Sequence, residues 1–161
     1  MRTAERSSAR SARRGSDVPG RGIQHVDLCV RDVERSLAFY LGLLGPLGLE
    51  EDVRVASYRG TEDIVYLKLG EQNLGLRPAD GGEHSYYGVG IEHLAFEVDT
   101  REEVDAAFER AQELGARIHH PAEYDKNLSG YYAVFVFDPD GMRVEVFTAP
   151  QAEGEESRWA T

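Results

Sequence analysis

The stretch GIQHVDLCV at residues 22–30 returns as GIEHLAFEV at residues 90–98, with Gly, Ile, one variable residue, His and an aliphatic residue at the same offsets. A chain that carries the same histidine strand twice is constrained to build one unit twice, because self-similarity at a fixed spacing marks repeated supersecondary structure. Both stretches alternate apolar with other side chains, the pattern of a strand with one face on a core.

The segments after the two strands also match. After the first, Asp32 is a candidate N-cap, and Val33, Leu37, Tyr40, Leu41 and Leu44 recur at helical spacing. After the second, Thr100 and Glu103 make a capping box, Val104, Ala107, Phe108, Ala111 and Leu114 form the stripe, and Gly115 supplies the stop. Three strand candidates come next in each half: LEEDVRVASY, DIVYLKL and QNLGLRP, then ARIHH, YYAVFVF and MRVEVFT. Asp138-Pro139-Asp140-Gly141 suits a type I turn and closes a hairpin between the last two. The pattern predicts an α+β fold of two βαβββ modules, residues 22–78 and 90–148, each a curled mixed sheet backed by a helix. A linker at 79–89, rich in glycine and polar residues, joins them.

Alternation assigns faces. Val26, Leu28, Val30, Leu94, Phe96, Val98, Val144 and Val146 are expected to cover the helices. The opposite faces then hold His25, Asp27, Cys29, Tyr66, Lys68, Asn73, Gly75 and Arg77 in one module, and His93, Ala95, Glu97, Arg143, Glu145 and Phe147 in the other. If each sheet curls away from its helix, these mixed faces line a cup.

Composition excludes several classes. Six arginines against Glu5 and Asp17 make residues 1–21 basic, so the body is more acidic than the chain's net charge of −11 and is expected to repel nucleic acid. That Arg/Ser/Ala/Gly tail lacks apolar periodicity and reads as disordered, and residues 149–161 read as a polar tail with Trp159 docking on the body. No apolar run approaches a membrane span or a secretory signal, which predicts a cytoplasmic protein. The single cysteine, Cys29, permits no intrachain disulfide and is expected buried and reduced.

Two histidines and a glutamate from three strands of one cup are the ligand set of a facial triad, which holds a divalent first-row metal and leaves coordination positions open. His25, His93 and Glu145 are those candidates. A histidine alone in a strand carries little weight; its recurrence after the same Gly-Ile pair, with a carboxylate set in an otherwise apolar final strand, carries much more.

The segments GIQHVDLCVRDVERSLAFY, GIEHLAFEV and FDPDGMRVEVF resemble the vicinal oxygen chelate superfamily, which includes glyoxalase I, extradiol dioxygenases, methylmalonyl-CoA epimerase, fosfomycin resistance enzymes and bleomycin-binding proteins. The resemblance spans residues 22–148 and implies paired βαβββ modules forming a metal cup, with His25, His93 and Glu145 at the ligand positions. It further implies a homodimer and a substrate that chelates the metal through adjacent oxygens, with Fe(II) or Mn(II) favoured and Zn(II) or Ni(II) as alternatives. Glyoxalase I and the epimerase carry a further Glu or Gln on the fourth strand, where this chain has Gly75. Fosfomycin enzymes of the thiol-transferring type carry Thr where it has Asp27. Extradiol-like cleavage is placed slightly ahead of lyase or isomerase chemistry, although Phe135 stands where a tyrosine is expected; sequestration of a drug-like molecule is the competing reading.

Further residues are assigned supporting roles. Arg77, Lys68 and Tyr66 are candidates for binding the substrate, with an Arg77–Asp27 ion pair as the plainer alternative. His119 and His120 are candidate acid/base groups, only one of which strand alternation lets face the cavity. Tyr131, Tyr132 and Tyr124 are candidate donors to a substrate oxygen, and His84 is expected to be solvated.

Overall fold

The computed structural model describes residues 22–57, 60, 63–124 and 131–148; both expected tails, including Trp159, lie outside them. Module one runs β1 (His25–Val30), α1 (Val33–Leu44), a 3-10 turn (Gly45–Leu47), β2 (Glu50–Val55), β3 (Ile64–Leu69) and β4 (Gln72–Pro78). Module two runs β5 (His93–Glu97), α2 (Arg101–Glu113), β6 (Arg117–Tyr124), β7 (Tyr132–Phe137) and β8 (Arg143–Thr148). Each forms a four-stranded sheet, ordered β1-β4-β3-β2 and β5-β8-β7-β6, and neither closes into a barrel.

The helix boundaries are those the sequence encodes. Asp32 accepts from the Arg35 N–H at 2.9 Å, and Thr100 and Glu103 complete the reciprocal capping box. Gly115, at φ +65°, ends α2 in the left-handed conformation that frees the Ala116 N–H to reach the Ala111 carbonyl.

In both modules the first and last strands pair in parallel, and the other pairings are antiparallel. The parallel ladders set His25 beside Asn73 and Asp27 beside Gly75, then His93 beside Arg143 and Ala95 beside Glu145. Leu28, Val30, Val65, Leu67, Leu76, Val134, Val136, Val144 and Val146 bury themselves under the helices in one core common to both modules. Among the described residues the opposite face has no helix on it. Cys29 is therefore exposed rather than buried, because alternation places it with His25 on that uncovered face.

Two features lock the modules together. Gly42 in α1 lets α2 come close: a Cβ there would lie 2.8 Å from Leu114 Cδ2, and Arg110 Nε donates to the Gly42 carbonyl at 3.2 Å. The β7–β8 turn is a clasp. Asp138, 5% exposed, accepts from Asp140 N and Met142 N within the turn and from the fully buried Tyr40 hydroxyl of α1 at 3.0 Å. Asp140 receives Arg31 Nε at 2.5 Å. His84, expected to be solvated, instead packs against this turn with Nε2 buried, its carbonyl oxygen 3.8 Å from the Cβ that Gly141 lacks.

Removing the Tyr40 hydroxyl strips a buried carboxylate of one of three donors. Tyr40→Phe is expected to lower stability by about 1–3 kcal/mol in urea denaturation with little change in slope. An unchanged midpoint would mean the clasp contributes nothing.

Candidate functional site

The uncovered face of module two gathers the most chemistry. His93 opens β5, and Glu145 comes from the neighbouring β8; His93 Nε2 stands 3.1 Å from Glu145 Oε2. The other Glu145 oxygen accepts from the Tyr131 hydroxyl. Glu145 is 5% exposed, and burial raises its pKa against the opposing pull of Tyr131, His93 and Arg143. A carboxylate kept in such surroundings is under-compensated, and a cation would relieve it.

The remaining ring nitrogen of His93 is also held. Nδ1 contacts Glu92, whose other oxygen pairs with Arg143. Burial works against the Glu92 carboxylate, yet its bonds to His93 and Arg143 hold it below the ordinary range. The Arg143 guanidinium lies over the Phe135 and Tyr86 rings at 5.1 and 5.4 Å and reaches His119 Nε2 at 3.4 Å.

His119 and His120 both sit on this face. Alternation would allow only one, but β6 carries register shifts at His120, where its pairing with β7 slips by a residue. A bulge of this kind turns adjacent side chains to one side. Their rings are 4.4 Å apart, His119 meets Phe137 at 5.3 Å and His120 meets Phe135 at 6.1 Å, two residues that share one face of β7. Pro121 fits there because β6 is an edge strand. Burial, then the nearby positive charges of His120, Arg143 and Arg117, lower the His119 pKa and favour the neutral ring.

Tyr131 and Tyr132 part company. Tyr131 faces Glu145, whereas Tyr132 donates to Asp105 of α2 at 2.7 Å, under the Arg101 guanidinium, and so stands on the helix side, away from the expected catalytic face. The side chain of Tyr124 lies outside the described residues.

Module one presents the second cluster. His25 is exposed, its Nδ1 is 2.7 Å from Gln24 Oε1, and its ring meets Tyr66 edge-on at 6.4 Å. Arg77 pairs with Asp27 and donates to the Tyr66 hydroxyl at 3.1 Å, so the plainer alternative for Arg77, an ion pair, is the arrangement present. Lys68 is exposed on the same face. Gly75 makes room for Asp27: a Cβ there would collide with Asp27 Oδ1 and lie 2.9 Å from Tyr66 Cε1. By register Gly75 corresponds to Glu145, and Asp27 to Ala95. Module one thus carries its carboxylate on the first strand where module two carries it on the last.

The structure does not bring His25 to His93 and Glu145; among the described residues no three His, Cys, Asp or Glu side chains could hold one metal ion. The edges of β1 and β5 border two grooves. Residues 23–26 share a groove of about 710 Å³ with 94–97, while residues 27–30 border another with 88–91. The two edges run in opposite senses.

Sequence reasoning missed Gln24 and Glu92, the variable residues of the repeat. Both precede their strands, so alternation said nothing about where they point. It also missed Tyr86, a linker residue packed on His119 at 5.7 Å.

Gly75→Ala is expected to destabilise the protein by roughly 1–3 kcal/mol, because the Asp27–Arg77–Tyr66 cluster must shift to admit one methyl group. Thermal denaturation checks this, and Asp27→Ala introduced with it should recover part of the loss.

A family model described as the Glyoxalase/Bleomycin resistance protein/Dioxygenase superfamily matches residues 22–146. The uncharacterized protein YqjT of Bacillus subtilis is 31% identical over 129 residues, covering 77% of this chain and 96% of that one. Among solved structures, a glyoxylase/bleomycin resistance protein/dioxygenase domain from Frankia sp. EAN1pec superposes with a TM-score of 0.68 at 27% identity, over 80% of this chain and 98% of that one. A lactoylglutathione lyase from Agrobacterium tumefaciens superposes with a TM-score of 0.59 at 28% identity, over 81% and 96%.

Proposed function

Because the chain belongs to the glyoxalase/bleomycin resistance protein/dioxygenase superfamily, we propose that it is a metal-dependent enzyme whose centre forms between two copies, His25 from one and His93 with Glu145 from the other. The observation that carries this reading is a donor set left half-built: two donors within 3.1 Å of each other in module two, and their repeat counterpart His25 exposed on an uncovered face. The apolar residues beside the β1 and β5 edges support a second copy there: Ile23 is 73% exposed, Val89 113% and Ile91 40%.

The donors suit a divalent first-row cation such as Fe(II) or Mn(II), with Zn(II) or Ni(II) tolerated by the same imidazole and carboxylate chemistry. When bound, such an ion supplies Lewis acidity and open positions for two adjacent oxygens of a small molecule. The surrounding residues do the rest. Tyr131 holds a proton at Glu145, His119 is kept neutral and can take a proton, and Phe135 and Phe147 flank the pair with apolar surface. Arg77 and Lys68 would face an anionic substrate group from module one. Proton transfer, as in a lyase or isomerase, and oxidative ring cleavage are the two chemistries such a centre supports.

Protein purified anaerobically is expected to carry one transition metal for each His25/His93/Glu145 set by elemental analysis, and His93→Ala or Glu145→Ala to carry none. Metal-free protein that binds a drug-like molecule tightly would replace the enzyme by a sequestering protein. Oxygen uptake with catechols and solvent deuterium exchange into 2-hydroxycarbonyl compounds then separate the two chemistries.

Sharing between copies has its own test. Mixed dimers of His25→Ala with Glu145→Ala chains regain one complete set of donors and are expected to bind half the wild-type metal, whereas each variant alone binds none. No recovery on mixing would end the shared-centre reading.

A further inference from the structure

The two histidines are held by the same device built from different chemistry. In module one Gln24 Oε1 contacts His25 Nδ1 at 2.7 Å, and Gln24 Nε2 donates to Asn73 Oδ1 at 2.7 Å. Asn73 is the residue directly across the parallel ladder from His25, and its own amide donates to the Leu67 carbonyl at 3.4 Å. In module two Glu92 contacts His93 Nδ1 and is gripped by Arg143, the residue directly across the parallel ladder from His93. The variable position of the repeated Gly-Ile-x-His and the ladder partner of the histidine therefore change together: Gln with Asn, Glu with Arg.

Each partner explains the other. A glutamine amide needs a neighbour that accepts at its nitrogen, so that its oxygen is left for the ring; Asn73 Oδ1 does that. A glutamate needs a cation on its far oxygen; Arg143 is that cation, and only 13% of its side chain is exposed. In both cases what reaches Nδ1 is an acceptor, so Nδ1 carries the proton and Nε2 presents a lone pair. Glu145 Oε2 at 3.1 Å is the competing acceptor at His93 Nε2, but its partner oxygen is committed to Tyr131, while Glu92 is anchored by a guanidinium.

We infer that Asn73–Gln24 and Arg143–Glu92 are two orienting relays, the first neutral and the second charged, that fix both imidazoles as Nδ1–H tautomers with the lone pair on Nε2. The relays are positioning residues for the shared metal centre and rest on that reading for their purpose. Their effect on the rings exists without any metal. An anionic acceptor makes an imidazole a stronger donor than a neutral one does. His93 is therefore the stronger of the two ligands, and the chain that supplies His93 and Glu145 keeps the ion.

Long-range ¹H–¹⁵N correlation on the full, metal-free chain at pH 8.5 reads the tautomers directly. Both rings are expected as Nδ1–H. Glu92→Ala should move the His93 proton to Nε2 and leave His25 unchanged, Gln24→Ala should do the reverse, and Glu92→Gln with Arg143→Asn, which copies the module-one relay, should return His93 to Nδ1–H. Titration with Zn²⁺ alone should find Glu92→Ala weakened about 10–100-fold and the double variant within a few-fold of wild type. A wild-type His93 ring protonated on Nε2 toward Glu145, or a Glu92→Ala ring that keeps Nδ1–H, overturns the relay. Wild-type protein that shows both Nδ1–H rings but takes up no Zn²⁺ upholds the relay and instead defeats the metal centre.

Discussion

Parallel pairing of the first and last strand in each module is the constraint on which the rest depends. It puts residues from opposite ends of a module side by side at fixed register, and the polar clusters around both histidines use it. Glu145 reaches His93 because β8 lies against β5, and Arg143 and Asn73 meet the residues before the histidines for the same reason. Such a pair cannot be joined by a tight turn, so the helix and the two intervening strands are the connection it requires. The helix that makes the connection then covers one face of the sheet and leaves the other to chemistry.

The uncovered faces explain features that look unrelated. Glu145 is buried and short of compensation, while Cys29 and His25 are exposed on a face that no helix covers among the described residues. Within the chain, the helix contact at Gly42 and the Asp138 clasp on Tyr40 fix the modules through their cores. A fold that spends its apolar surface on joining helices leaves the opposite faces of its sheets to polar side chains.

The repeat also diverges in an ordered way. At matching register one module has Asp27 over Gly75 and the other Ala95 beside Glu145, so each ladder keeps one carboxylate and one small residue, exchanged between strands. Two carboxylates at that register would repel, and two large side chains would not fit beneath Tyr66. The absence of a side chain at Gly75 thus matches where Asp27 lies.

Much of this was legible in the sequence, for a physical reason. Helix caps, turn chemistry and strand alternation are local: Asp32, Thr100 with Glu103, and the Asp138–Gly141 turn act on residues a few positions away, and alternation sorted Val144 and Val146 from Arg143 and Glu145. What depended on leaving that local rule was not legible. A bulge put His119 and His120 on one face, whereas Tyr131 and Tyr132 kept to alternation and so only Tyr131 reaches Glu145. Gln24 and Glu92 act from just outside their strands, where no alternation holds. The sequence by itself determined two copies of one module and the imidazoles and carboxylates on the face of each sheet, because pattern and periodicity are written residue by residue. Only the tertiary structure decided which donors meet, because the distance between two strand edges is set by how cores pack and not by any residue's neighbours in the chain.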